Sequence, residues 1–204
     1  MITAPADRTL LQIIETLAGK APPEGYTLRE IFDNLDESAF GAGLFLLALP
    51  CCIPFLYGVP QIVAVPMMAL ALQMLAGRDE PWLPDALARR RIDKAGLARM
   101  AHGGRRWLGW IERLIRPRLI AITGPRAERV VGAFMVLFCA SILVPLPLTN
   151  TVPGFAVAIV SFGLMQKDGL AVILGIVLGT GWISALIFGA ITGVGLVAGA
   201  VAGS

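Results

Sequence analysis

The sequence predicts an all-α, polytopic integral membrane protein. It is built from two repeated, proline-broken helical hairpins, expected to be re-entrant, and amphipathic interfacial helices. Three observations predict this. Hydrophobic residues make up 56% of the 204 positions and charged residues only 15%, against about a quarter charged in soluble domains, and the mean hydropathy is +0.76. Residues 40–77 form a run of 38 positions without a formal charge, interrupted by four prolines. Features of that run return 91 to 93 residues later.

The first segment, residues 1–37, holds seven acids and three bases. It has neither the basic start nor the early apolar core of a signal peptide, so a water-facing, cytoplasmic region is expected. Leu10, Leu11, Ile13, Ile14, Leu17 and Ala18 recur at helical spacing, which predicts an amphipathic helix over residues 7–20. Pro22 and Pro23 end it. Thr27 and Glu30 stand at capping-box spacing, so a second short helix should follow toward Asp36.

Residues 38–77 form the first hairpin. About 20 apolar residues cross a bilayer core, so the uncharged run suits two helices folded back on each other. Pro60 lacks an amide hydrogen and disfavours helix at Val59, which places the break at 54–60. Pro54, Tyr57, Gly58 and Pro60 mark the expected tip.

Residues 78–129 carry 13 Lys or Arg against 6 Asp or Glu. That excess beside apolar segments places the loop on the cytoplasmic side. Within residues 105–116, Trp107, Leu108, Trp110, Ile111, Leu114 and Ile115 share one helical face, and Arg106, Arg113 and Arg116 lie largely on the other. Tryptophan opposite arginine suits a helix lying among headgroups. Anionic lipid is the expected partner, and no motif points to nucleic acid.

The second hairpin, residues 130–166, pairs an apolar run over 130–148 with a short helix over 154–165. Pro145, Pro147, Asn150 and Pro153 stand at its tip. Twelve helical residues reach only about 18 Å, short of a bilayer core of about 30 Å, which is why re-entry is expected. Beyond a polar break at Lys167, Asp168 and Gly169, residues 167–204 should hold one spanning helix to about Ala190 and one further short helix.

The halves correspond. Glu37 and Gly41 match Glu128 and Gly132 at 91 residues, while Pro54, Pro60 and Gln73 match Pro147, Pro153 and Gln166 at 93. Duplicated broken hairpins are a transporter device, and self-similarity of this kind favours a true repeat.

Chemistry is sparse. His102 is the single histidine, and no catalytic constellation, cofactor motif or metal-ligand spacing is present, so no enzyme is expected. Cys51, Cys52 and Cys139 read as small packing residues. Glu37 and Glu128, each four residues before a glycine, are the candidate functional charges, with Arg78, Arg126 and Arg129 as partners. Gln73 and Gln166 are either helix-end residues or hydrogen-bonding links between repeats. Two hairpins bury their polar tips poorly alone, so a homodimer is expected.

At these residues the chain resembles the ExoD family of bacterial exopolysaccharide-synthesis proteins. The resemblance rests on Glu37-Ser38-Ala39-Phe40-Gly41, Ala48-Leu49-Pro50, the stretch from Gly77 to Pro84, and Ile115-Arg116-Pro117-Arg118. It continues through Thr123 to Arg129, Pro145 to Asn150, and Lys167-Asp168-Gly169. It implies a multi-pass bacterial inner-membrane protein linked to exopolysaccharide production, nodule invasion and alkaline tolerance. A small transporter of a lipid-linked intermediate, its lipid carrier or an ion is the expected function. The alternative is a non-transporting accessory protein that scaffolds the polysaccharide machinery.

Overall fold

The computed structural model describes residues 10–22, 24–35, 38–53, 58–99, 102, 119, 122–144 and 150–202. The expectations placed on Glu37, Pro54, Tyr57, Pro145, Pro147, and on Arg106, Trp107, Trp110 and Arg113 lie outside these residues, as does the side chain of Arg126.

The predicted capping box forms: the Thr27 hydroxyl accepts the Glu30 amide while the Glu30 carboxylate accepts the Thr27 amide. It opens α2 (Leu28–Asp33), which follows α1 (Leu10–Lys20). Between them β1 (Tyr26–Thr27) pairs antiparallel with β2 (Arg91–Ile92), which stands after the short helix α5 (Asp85–Ala88). This two-stranded ladder departs from the otherwise helical structure. It ties the N-terminal segment to the basic loop, reinforced by an exposed Arg91–Glu24 pair at 3.2 Å.

The apolar runs become α3 (Ala39–Ala48), a 3-10 turn over Leu49–Cys52, α4 (Val59–Leu75), α6 (Pro125–Leu143), α7 (Thr151–Met165) and α8 (Gly169–Ala202). Two boundaries differ from expectation. Helix α7 starts three residues earlier than predicted, because Pro153 in a first turn has no amide to leave unpaired. The C-terminal region is one helix rather than two, since its glycines weaken a helix without breaking it.

Close contacts fix the directions of the long helices. A methyl group at Gly41, near the start of α3, would stand 2.8 Å from Met165 Cγ and from the Ser161 carbonyl, at the end of α7. One at Gly154, near the start of α7, would stand 2.7 Å from Cys51 Cβ, just past α3. One at Gly132, near the start of α6, would stand 2.7 Å from the Leu75 nitrogen, in the last residue of α4. Helices α3, α6 and α8 therefore run one way, and α4 and α7 the other. The starts of α4 and α7 therefore lie at one end of the bundle, the tip end, and their C-terminal ends at the other, the mouth end.

The hairpins exchange partners. Helix α3 packs chiefly on α7 and α4 chiefly on α6, with lesser contact inside each hairpin. Leu44, Met67, Met74, Met135, Phe138, Ile142, Val157 and Val160 fill the shared core. A second cluster caps the mouth end, where Leu17, Ile31, Leu35 and Leu97 cover Ala39, Ala42, Phe162 and Met165.

Helix α8 lies along this bundle and then leaves it. Gly175 meets Val160 and Gly179 meets the Phe138 ring, whereas Gly181, Gly189 and Gly193 have nothing near them. Ile187, Phe188 and Ile191 are 55%, 70% and 66% exposed. Its segment Gly169–Gly193 is the one helix among the described residues long and apolar enough to cross a membrane.

Candidate functional site

Two regions collect polar groups, one at each end of the bundle. At the mouth end, α4 and α7 terminate in the same way. The Gly77 amide donates to the Met74 carbonyl and the Arg78 amide to the Gln73 carbonyl, while Lys167 donates to Leu164 and Asp168 to Gly163. These paired bonds close the last turn when the residue after the cap takes a left-handed conformation. Gly77 does so at φ 74 and Lys167 at φ 52. The Asp168 carboxylate, 4% exposed, then accepts the amides of Leu170 and Ala171 and so caps α8.

Gln166 is the cap residue of α7, whereas the cap residue of α4 is Ala76, three positions past Gln73. Matching the helix ends thus pairs Gly77 with Lys167 at 90 residues, and Gln73 and Gln166 are not structural equivalents. Gln73 instead holds its own loop: its Oε1 accepts the Trp82 amide and its Nε2 donates to the Trp82 carbonyl.

The candidate charges gather here in part. Glu128 is half-buried in the first turn of α6, where a helix N-terminus favours negative charge. The Arg129 guanidinium lies over Gly77 at the C-terminal end of α4, where the dipole favours a cation. Arg78 is exposed beside it. His102 is exposed, and no metal-binding cluster occurs among the described residues.

The tip end is uncharged. Gly58 at φ 82 precedes α4, and Pro60 and Pro153 are fully buried in the first turns of α4 and α7. Asn150 occupies the cap position of α7, yet its side chain makes no capping bond. Among the described residues its Oδ1 is buried without a partner, and so is Oε1 of Gln61 in the first turn of α4. Leaving such an acceptor bare costs about 1–3 kcal/mol. Ser161 Oγ, mid-helix in α7, shares this condition but lies toward the mouth, where the serine carbonyl faces Gly41.

Sequence reasoning placed Asn150 at the second tip. It missed the capping role of Asp168, although an Asp directly before a helical apolar run is a readable start signal. It also missed the Gln73–Trp82 bond pair, which no periodicity announces.

No solved structure matches this chain. Residues 10–188 match the family described as "Exopolysaccharide synthesis, ExoD". Protein ExoD of Rhizobium meliloti (strain 1021) is 31% identical over 169 residues, covering 80% of this chain and 68% of that protein. An uncharacterized protein, slr1875, of Synechocystis sp. is 30% identical over 145 residues, 70% of this chain and 68% of its own length. With nearly the whole described bundle inside the matched span, the chain belongs to the ExoD family.

Proposed function

We propose that this protein acts in bacterial exopolysaccharide synthesis as a multi-pass membrane protein, moving a lipid-linked intermediate, its lipid carrier or an ion. The observation that carries this reading is the pair of hairpins with both tips at one end and unpaired polar groups beside them. Broken helices that meet inside a membrane must satisfy their freed polar groups within protein or in a wet cavity.

Several features support the membrane setting. Residues 169–204 contain no charge, and outward apolar side chains stud every long helix, with Ile62 at 72%, Val130 at 59% and Leu174 at 58% exposure. Apolar exposure on that scale suits lipid rather than water. The common 90-to-91-residue register, seen at Gly41 and Gly132 and again at Gly77 and Lys167, supports duplication of one hairpin. Because mouths and tips align, the repeats run parallel, with the pseudo-twofold axis along the helices. Homodimerisation and alkaline tolerance belong to the same reading.

A second reading has its own support. Arg78, Arg89, Arg90, Lys94 and Arg99 are exposed around the mouth-end cap, a basic surface able to hold anionic headgroups or a partner of the polysaccharide machinery.

Sided thiol labelling separates the two. Tyr57→Cys and Asn150→Cys would each be made in a chain whose native cysteines are replaced by alanine. Transport requires each tip to react from both faces of the membrane. Reaction from one face only, together with loss of polysaccharide on neutralising the cap arginines, would sink transport in favour of the scaffold.

A further inference from the structure

We infer that Trp82 is a membrane-interface anchor: the loop after α4 holds its indole in the lipid headgroup layer and so sets the depth of the mouth end. Residues 59–77 carry no formal charge, and Arg78, Asp79 and Glu80 then follow in succession, all exposed. A loop simply leaving for water would take Trp82 out beyond those charges. It folds back instead. The Trp82 amide donates to Gln73 Oε1 at 2.5 Å, and the Trp82 carbonyl accepts Gln73 Nε2 at 3.2 Å. Gln73 belongs to the last turn of α4, so the backbone of Trp82 is held beside that turn. Pro81 and Pro84 stiffen the chain on either side. The side chain so positioned is 57% exposed.

The border at that level selects the partner. Leu72 and Leu75, in the same turn of α4, are exposed and continue the outward apolar residues Ile62 and Val65. Two more helices change character at the mouth end. On α6 the exposed Arg129 precedes the exposed Val130, and Lys167 stands three residues before the exposed Leu170 of α8. Outward surface thus passes from charge to hydrocarbon at one end of three helices. Indole suits such a border, with an apolar ring for the acyl boundary and an N–H for the headgroups. Arg78 can reach the same layer while its stem covers apolar surface. Lipid is the occupant rather than a protein partner, because the apolar exposure runs along α4 from Leu75 to Ile62 while Asp79 and Glu80 stay exposed in the same loop.

This inference rests on the membrane reading, and the test tells the failure of one from the failure of the other. The full-length protein in phosphatidylcholine nanodiscs would have Trp107, Trp110 and Trp182 replaced by phenylalanine, leaving Trp82 as the single tryptophan. A reference chain, with Trp82 replaced as well, would carry Val177→Trp. Val177 is exposed and stands eight residues into α8, about 12 Å along it and near the middle of a core of about 30 Å. Fluorescence quenching by a nitroxide on the headgroup would be compared with quenching by bromine at mid-acyl chain. Trp82 is expected to prefer the headgroup nitroxide by about twofold or more, and position 177 to show the reverse. Gln73→Leu should weaken the Trp82 preference, since the loop loses its hold.

A second measurement keeps the native tryptophans. With Cys51, Cys52 and Cys139 replaced by alanine, spin labels at Leu72→Cys and Glu80→Cys should collide preferentially with oxygen and with a water-soluble nickel chelate, respectively. If position 177 is quenched while neither quencher reaches Trp82, the indole stands in water or against a protein partner, which overturns the anchor and leaves the membrane reading in place. Trp82 quenched best by bromine, or a Leu72 label that favours nickel, also overturns the anchor. A position 177 beyond both quenchers overturns the membrane reading itself.

Discussion

Gly132 lies on the backbone of Leu75, so close that a methyl group at position 132 would stand 2.7 Å from the Leu75 nitrogen and 3.0 Å from its Cα. Backbone cannot yield as a flexible side chain can. Gly132→Ala should therefore destabilise by about 1–3 kcal/mol, the usual cost of overpacking. Gly189→Ala, at a position with nothing nearby, should be neutral or stabilising by up to about 1 kcal/mol from helix propensity alone. Thermal midpoints of the two variants in the same nanodiscs check the contrast, and equal effects would remove the argument.

Lys167 holds at φ 52 the conformation that Gly77 adopts at φ 74. A non-glycine residue there costs about 1–2 kcal/mol. Lys167→Gly should raise stability by up to about 1 kcal/mol after allowing for the freer unfolded chain. Gly77→Ala should lower it, both through the backbone and by displacing the Arg129 guanidinium. Denaturation of each variant against the parent chain reads the opposite signs.

Gln73 grips both polar groups of the Trp82 backbone. At about 0.5–1.5 kcal/mol per hydrogen bond, Gln73→Leu should loosen the loop that leaves α4 without unfolding the bundle. Hydrogen exchange at the Trp82 amide should accelerate by about tenfold, while amides inside α6 and α7 keep their protection. Faster exchange throughout would show that the residue supports the core instead.

The Glu30 carboxyl is held below its ordinary value of 4.5, chiefly by the hydrogen bond from the Thr27 amide, then by the Thr27 hydroxyl. A depressed carboxylate contributes stability that is fully present above its unfolded pKa and is lost as pH falls through the folded one. The start of α2 should thus hold at neutral pH and fray in mild acid, below pH 4.5. Glu30→Gln, which can still accept the Thr27 amide, should abolish that pH dependence. Amide shifts of residues 27–33 followed from pH 7 to 3 would report it, and an unchanged titration in the variant would exclude Glu30 as its source.

How far the sequence can be read depends on the kind of signal. The capping pair Thr27 and Glu30 is local, and the cap stands where those residues put it; Pro60 sits inside the first turn of α4, which already begins at Val59. The continuation of α8 past Ala190 was not legible, because the Gly/Ala/Val-rich end looks like a separate short helix until its apolar residues are allowed to extend the first. Gln166 drew a match to Gln73, yet Gln166 is itself a helix cap while the cap of α4 is Ala76, three residues past Gln73. Amide side chains resemble one another in sequence whatever they bond. Asn150 stood out as polar at an apolar tip, but only packing reveals that its Oδ1 has no partner among the described residues.

The exchange of partners between hairpins bears on how the chain is made. Helix α3 finds its main neighbour in α7 and α4 in α6, so the first hairpin leaves the ribosome with both of its principal faces bare. The matching helix ends are 90 residues apart at Gly77 and Lys167, and at about 5–20 residues per second that is a wait on the order of 5–18 s. Assembly is governed by these long-range pairings rather than by either hairpin alone. A chain cut within the basic loop would yield no independently stable half, and the two fragments would have to be supplied together to recover the bundle.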